Sequence, residues 1–381
     1  MVSGQRKMTI TNNKKNLKIF IIAGEVSGDV LGAKIMREMP GINFVGIGGQ
    51  YMGKAGLKSL FPMSDLSVMG VFEVLAHVRT LNSRIKETIS AIIKEKPDIV
   101  LTIDSPGFAK SVIKGVRKKG TLTTTKFYHV VAPQVWAWGA SRAGKYAEIF
   151  DRLYAFFDFE RPYFERFGLT TIAVGHPISD GLGKYKRTIK NKKIITFIPG
   201  SRMSEVKKLL PVFHKTIDKL GQKYKFAIPT VETTDKYIRK NIQNWAIKPD
   251  LIPSDKRYEL YANTYIAVAA SGTVSAELAI MHIPTIVVYK MNPLTMLLAH
   301  LLVHVKWVSL VNILMNKTVF PELLGGKANP NAIEKVVKKL TSVKNRTKMI
   351  NELKSADKQW TRFGHNAAEL IALDIIKSAN Q

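Results

Sequence analysis

Cysteine is absent from the 381 residues, which excludes a disulfide framework and any thiolate metal centre. Long unbroken apolar runs are missing as well. The most apolar stretch, residues 293–315, is interrupted by His300, His304 and Lys306 and falls short of the ~20 residues that a spanning helix needs, so contact with a membrane surface is expected rather than a crossing. Residues 1–16 are polar, rich in Thr, Asn and Lys, and lack the apolar core of a secretory signal. A disordered leader is expected there, and export by that route is not. Acidic residues are scarce, 29 against 58 Lys and Arg, for a formal charge of +29. That excess favours anionic partners, whether nucleic acid, a phosphorylated small molecule or an acidic membrane face, or it marks a lysine-rich solvated surface. Three catalytic signatures are missing too: there is no P-loop and no G-x-S-x-G elbow, and His300 and His304 have Leu301 where a zinc protease needs Glu. No metal and no cofactor are expected.

What is present is a folded, 46% hydrophobic chain, long enough for two or three domains at about 150 residues each. Apolar runs at 18–23, 43–47, 99–103, 127–131, 153–157 and 171–174 read as strands alternating with helices, two of those helices expected at 66–81 and 83–95. Residues 181–193 turn polar and basic and read as a linker. The pattern then restarts with strands at 194–198, 225–228, near 251, 266–270 and 285–289. The expected fold is α/β: two Rossmann-like domains, 17–180 and 194–355, with mainly parallel sheets facing a cleft, followed by a helical segment at 356–381.

Chemistry concentrates where strands run into glycine turns. Residues 265–270 read as a buried strand, Gly272 permits a tight turn, Ser271 or Thr273 can cap the following helix, and Glu277 lies one turn in. Glu277 either meets a sugar hydroxyl or complements the helix dipole. Gly200, Ser201 and Arg202 repeat the design after residues 194–198. Two helix starts and a guanidinium in one domain suit a diphosphate without a metal. In the first domain Asp104 ends a buried run, a favoured catalytic position in an open parallel sheet, and reads as a general base or as an N-cap. Trp136 and Trp138 offer stacking or acyl-packing surface, or pack on their own domain. Taken together these residues suit an inverting transfer from a nucleotide sugar.

Several runs then resemble one family. Glu-Val-Ser-Gly-Asp at 25–29, Ser-Val-Met-Gly-Val-Phe-Glu-Val-Leu at 67–75, Ile-Asp-Ser-Pro-Gly-Phe at 103–108 and Ala-Pro-Gln-Val-Trp-Ala-Trp at 132–138 lead the match. Val-Gly-His-Pro at 174–177, Pro-Gly-Ser-Arg at 199–202, Ser-Gly-Thr-Val-Ser-Ala-Glu-Leu at 271–278, Tyr-Lys-Met-Asn-Pro at 289–293 and Val-Ser-Leu-Val-Asn-Ile-Leu at 308–314 extend it. In this order they resemble lipid-A-disaccharide synthase, over about residue 17 to the C-terminus. The resemblance implies a GT-B glycosyltransferase that joins UDP-2,3-diacylglucosamine to 2,3-diacylglucosamine 1-phosphate (lipid X), giving the β-1,6-linked lipid A disaccharide 1-phosphate and UDP. It implies work at the anionic cytoplasmic face of the inner membrane and a homodimer with an exchanged C-terminal segment. It matches Asp104 to the family's general base, Arg202 and Glu277 to the UDP side, and Asn312 to a position near the donor. Ser27, Gly28, Asp29, Glu73, Trp136, Trp138, Arg142 and His176 are assigned to the acceptor or acyl side. Gly325 stands where members commonly carry glutamine. The competing readings are a UDP-sugar 2-epimerase on the same architecture and a non-catalytic nucleic-acid binder, and no interleaved basic and aromatic motif favours the latter.

Overall fold

A computed structural model of the protein describes residues 17–66, 71–136, 139–185, 187–188, 193–290, 306–360 and 365–379. The leader, the run 291–305 and Trp138 therefore lie outside the described residues, as does part of the linker. The front lobe contains β1 (Lys18–Ala23), α1 (Val26–Glu38), β2 (Asn43–Ile47), α2 (Gln50–Lys54), α3 (Val71–Glu95), β3 (Ile99–Ile103), α4 (Pro106–Lys119), β4 (Lys126–Val130), α5 (Gly144–Ala147), β5 (Arg152–Ala155), α6 (Arg161–Glu165) and β6 (Thr170–Ala173). The rear lobe contains β7 (Ile194–Ile198), α7 (Met203–Leu220), β8 (Lys225–Thr230), α8 (Glu232–Ile242), β9 (Asp250–Pro253), α9 (Arg257–Asn263), β10 (Thr264–Ala270), α10 (Thr273–Ile280), β11 (Thr285–Tyr289), α11 (Leu310–Met315), β12 (Glu322–Leu324), α12 (Pro330–Thr341) and α13 (Val343–Ser355). The short α14 (Asp357–Trp360) and then α15 (Ala367–Ala379) close the chain.

Each lobe holds a six-stranded sheet in which every pairing is parallel, as expected for a two-lobed α/β protein. Helices cover both faces of such a sheet, so its inner strands read as continuous apolar runs rather than alternating ones. All five residues of β3 and all seven of β10 are buried. Two details differ from expectation. Residues 71–95 form one helix instead of two, because neither Gly nor Pro interrupts them. The three-residue β12 adds a sixth strand at the rear sheet's edge.

The strand orders fix where ligands can sit. In β2-β1-β3-β4-β5-β6 the chain reverses direction between β1 and β3, and in β12-β11-β10-β7-β8-β9 it reverses between β7 and β10. At such a switch point the flanking loops diverge and leave a crevice at the strands' carboxyl ends. The turns after β1 and β3 carry Glu25 and Asp104, and those after β7 and β10 carry Arg202 and Gly272.

The expected linker is tied to the rear lobe. The Arg187 guanidinium donates to the carbonyls of Thr264 and His282 at 2.8 Å each, and Leu182 is buried against Ile198 and Leu260. The chain's end crosses back to the front. In α15, Ala367, Ala368, Ile371, Ala372 and Ile375 share one helical face and pack on Ile19, Ile21 and Tyr154. Burying each isoleucine stabilises the docked helix by about 2 kcal/mol. Asp374 fixes its register by accepting from Arg152 at 2.6 Å and from Tyr154 at 2.8 Å.

Candidate active site

The rear half of the site forms around two glycine turns. Gly200 has φ +103°, and a Cβ there would strike the Glu205 carboxylate, so the turn after β7 admits only glycine without rearrangement. Arg202 caps the start of α7 with its side chain 80% exposed, and Nη1 lies 3.6 Å from the Glu205 carboxylate. With the guanidinium so exposed and the contact at 3.6 Å, the pair is weak, which leaves the guanidinium available to an anion. Gly272 has φ +151° and begins α10. Neither Ser271 nor Thr273 caps that helix; the Ser275 hydroxyl instead donates to the Gly272 carbonyl at 2.7 Å. The Ser275 amide also donates to that carbonyl at 3.0 Å, and the N–H groups of Thr273 and Val274 keep the unpaired character of a helix start. Gly200, Ser201 and Arg202 line one side of a cavity of about 290 Å³, Ser271, Gly272 and Thr273 line the other, and Glu277 contributes to its wall.

Glu277 is held rather than loose. Its Oε1 accepts from the Tyr258 hydroxyl at 2.8 Å, and the Arg257 guanidinium donates to that hydroxyl at 2.6 Å while lying over the Tyr258 ring. Burial and the Glu277 charge push the Tyr258 phenol up to about 12, so it remains a donor. This leaves Glu277 Oε2 to accept from a ligand hydroxyl. Sequence reading missed Arg257 and Tyr258, which lie 20 and 19 residues before Glu277 and show no motif of their own.

The front half is strained. Asp104 and Ser105 adopt φ of 55° and 47°, left-handed values that cost an L-residue roughly 1–3 kcal/mol each. The Asp104 amide donates to the Val130 carbonyl at 3.0 Å, and Asp104 Oδ1 accepts from the Ser105 amide at 2.9 Å. Asp104 is therefore not the N-cap of α4; Ser105 occupies that position without a side-chain bond. The turn after β1 presses on this one, since a Cβ on Gly24 would collide with the Ser105 hydroxyl. Charges gather here. The Glu25 carboxyl is raised by burial and by Asp104, while the Tyr146 phenol is pushed up to about 12 by burial, opposed by Arg142 and reinforced by Asp104. Lys110 lies 5.6 Å above the Tyr146 ring.

The remaining sequence-derived residues divide between site and scaffold. Ser27 is exposed in the first turn of α1, and Gly28 lets that helix approach the sheet, where a Cβ would stand 3.3 Å from the Ile103 carbonyl. Asp29 is held in the scaffold. It is 1% exposed, and its carboxylate accepts from the amides of Gly49, Tyr51 and Met52 at 2.8–2.9 Å, closing the start of α2. His176 follows β6 and serves as scaffold: Nδ1 accepts from the Ile178 amide, its own amide donates to the Trp360 carbonyl, and its ring packs on Phe156. Burial lowers its pKa to about 4, so it is neutral at pH 7. Asn312 is fully buried and satisfied by Val319, Phe320 and Glu322, each at 2.8 Å, rather than lining the cavity. Glu322 in turn holds Val308 and Ser309, and the Val308 carbonyl accepts from Ser271 at 3.5 Å. Trp136 is half-buried beside Glu160, and Glu73 lies in the first turn of α3 with its side chain outside the described residues. Among the described residues no cluster of three or more His, Asp or Glu stands ready for a metal.

Residues 19–375 match the sequence model of the lipid-A-disaccharide synthetase family. A lipid-A-disaccharide synthase from Rhodospirillum centenum is 38% identical over 344 residues, covering 86% of this chain and 85% of its own. Another from Rickettsia prowazekii is 36% identical over 94% of this chain and 98% of its own. Among solved structures, a putative UDP-N-acetylglucosamine 2-epimerase from Listeria monocytogenes superposes with a TM-score of 0.62 at 13% identity, covering 96% of this chain and 97% of that one. MurG from Acinetobacter baumannii gives 0.60 at 11% identity over 95% and 99%. At these identities the structural likeness carries the fold alone.

Proposed function

The chain belongs to the lipid-A-disaccharide synthase family, enzymes of lipid A biosynthesis, and from that premise we propose that it joins UDP-2,3-diacylglucosamine to 2,3-diacylglucosamine 1-phosphate with inversion and release of UDP. The observation that carries this reading is the pairing of a strained, part-exposed carboxylate at the front switch point with a cavity of guanidinium and helix-start donors at the rear one. Asp104 takes the proton of the acceptor's 6-hydroxyl, and that oxygen attacks the donor's anomeric carbon from the side opposite the diphosphate. The bond from the anomeric carbon to the β-phosphate oxygen breaks, and its electron pair leaves on UDP. Arg202 and the N–H groups at the start of α10 receive the growing negative charge. Glu277 Oε2 accepts from a ribose hydroxyl, while Ser27, Arg142 and the Trp136 loop face the acceptor.

The same reading places the enzyme on the anionic cytoplasmic face of the inner membrane, supported by the +29 charge. Among the described residues no helix is long and apolar enough to cross a membrane. In a dimer with exchanged C-termini, α15 of each copy would meet the partner's front sheet through the contacts it makes here with its own.

The test is turnover of both acylated substrates. Asp104→Ala is expected to lose about 10²–10⁴-fold in rate yet keep UDP binding, and unchanged turnover removes Asp104 from the mechanism. Conversion of free UDP-GlcNAc with no acyl acceptor would instead identify an epimerase.

A further inference from the structure

Glu160, just before α6, is 5% exposed and takes no part in the chemistry above. Its Oε2 accepts from the amides of Phe156 and Phe157 at 3.1 and 3.0 Å, and its Oε1 accepts from the Trp136 indole at 3.4 Å. The carboxylate thus joins the turn after β5 to the loop after β4, the loop that ends in the two tryptophans. The knot is apolar around its centre. Phe159 packs edge-on to Trp136 at 5.4 Å and stacks on Phe157, which meets His176 and Trp360.

Among the described residues no cation touches Glu160. Arg161, the next residue, directs its guanidinium to Glu165, Asp158 and the Thr171 carbonyl, and His176 is neutral. Among the described residues the three N–H donors are what repays the desolvation of its charge.

We propose that Glu160 is a positioning residue for acceptor binding: it fixes the Trp136 loop against the turn after β5 and so sets the surface that the acceptor meets. This rests on the acceptor-side reading of that loop. Burial raises the Glu160 carboxyl to about 7, against the pull of its three hydrogen bonds. Near neutral pH both forms are therefore populated. The acid form turns an O–H toward groups that are all donors, and the longest bond, to Trp136, is the first to be lost.

The experiment uses the full-length protein with Glu160→Gln, Trp136→Phe and the double variant, between about pH 5.5 and 8.5. The acylated donor and acceptor are the substrates. Each single variant should raise the acceptor KM about tenfold, leave kcat within about twofold and leave the donor KM unchanged. The double variant should be no worse than either single, because both remove one bond. In the wild type the acceptor KM rises as pH falls through about 7, and Glu160→Gln removes that dependence. The Trp136 fluorescence, obtained by difference against Trp136→Phe, shifts with the same midpoint. An acceptor KM equal in wild type and Glu160→Gln at the alkaline end of that range overturns the proposal, as do donor and acceptor KM rising together or a Trp136 signal that ignores pH. A wild type without turnover would sink the functional reading instead, and the fluorescence arm would still decide whether Glu160 holds the loop.

Discussion

In the rear lobe the turns after β7 and β10 surround a cavity lined by two guanidiniums, Arg202 and Arg257, by helix-start donors and by two carboxylates, each set beside one of those guanidiniums: Glu205 near Arg202 and Glu277 near Arg257. In the front lobe the turns after β1 and β3 bring together Glu25 and Asp104, and the strain lies in non-glycine residues. The two lobes share one design of strand, tight turn and helix at a switch point, yet the rear sets each of its carboxylates beside a guanidinium, while the front brings two carboxyl groups, Glu25 and Asp104, together. The rear uses glycine to bring backbone donors close to a ligand at little conformational cost. The front forces an aspartate and a serine into left-handed backbone, a cost tolerated where a side chain must be aimed. The proposed nucleotide binding and the proposed proton transfer thus fall to different lobes.

The largest effect that can break this division is structural. Asp29→Ala strips the acceptor from three amides at the start of α2, at a cost of about 3 kcal/mol. Chemical denaturation should show the loss in the front lobe, with UDP affinity of the folded protein unchanged; a fall in UDP affinity would mean that the lobes are coupled. Next comes Arg202→Ala, which should weaken UDP binding about tenfold to thirtyfold, measured by calorimetry. Stability should not move, because the side chain is 80% exposed.

The smallest effect concerns pH. His129 and His176 are held at about 3 and 4 by burial, so each favours folding at neutral pH and loses that contribution as pH falls from 6.5 through its folded value. Glu160 opposes them. Raised from 4.5 to about 7, it contributes stability below 4.5 that disappears as pH rises through 7. Glu160→Gln should therefore steepen the loss of stability on acidification between pH 6.5 and 4.5, read from urea midpoints. An unchanged slope would show that Glu160 does not titrate there.

Much of the fold was legible because parallel strands are buried on both faces. Residues 18–23, 43–47, 99–103, 194–198 and 285–289 match observed strands to the residue, each an apolar run ending at a turn. β12 escaped because three residues after Pro321 carry no periodicity. In the site, residues at strand ends were legible and residues defined by distant partners were not. Asp29 reads as part of a glycine turn, but its donors come from the next strand's loop. Asn312 reads as a donor contact, while the carbonyl and amides of 319–320 enclose it. Glu160 meets Trp136 across 24 residues, with no local signal beyond the preceding phenylalanines. Gly325, at φ 57°, has a left-handed backbone that a glutamine would adopt only with strain.

The most direct measurement is UDP titration into Asp104→Asn beside its turnover with both acylated substrates. The account predicts UDP affinity within about twofold of wild type and turnover lower by about 10²–10⁴-fold. A variant that turns over normally, or one that loses UDP binding along with activity, would contradict the division of labour between the lobes.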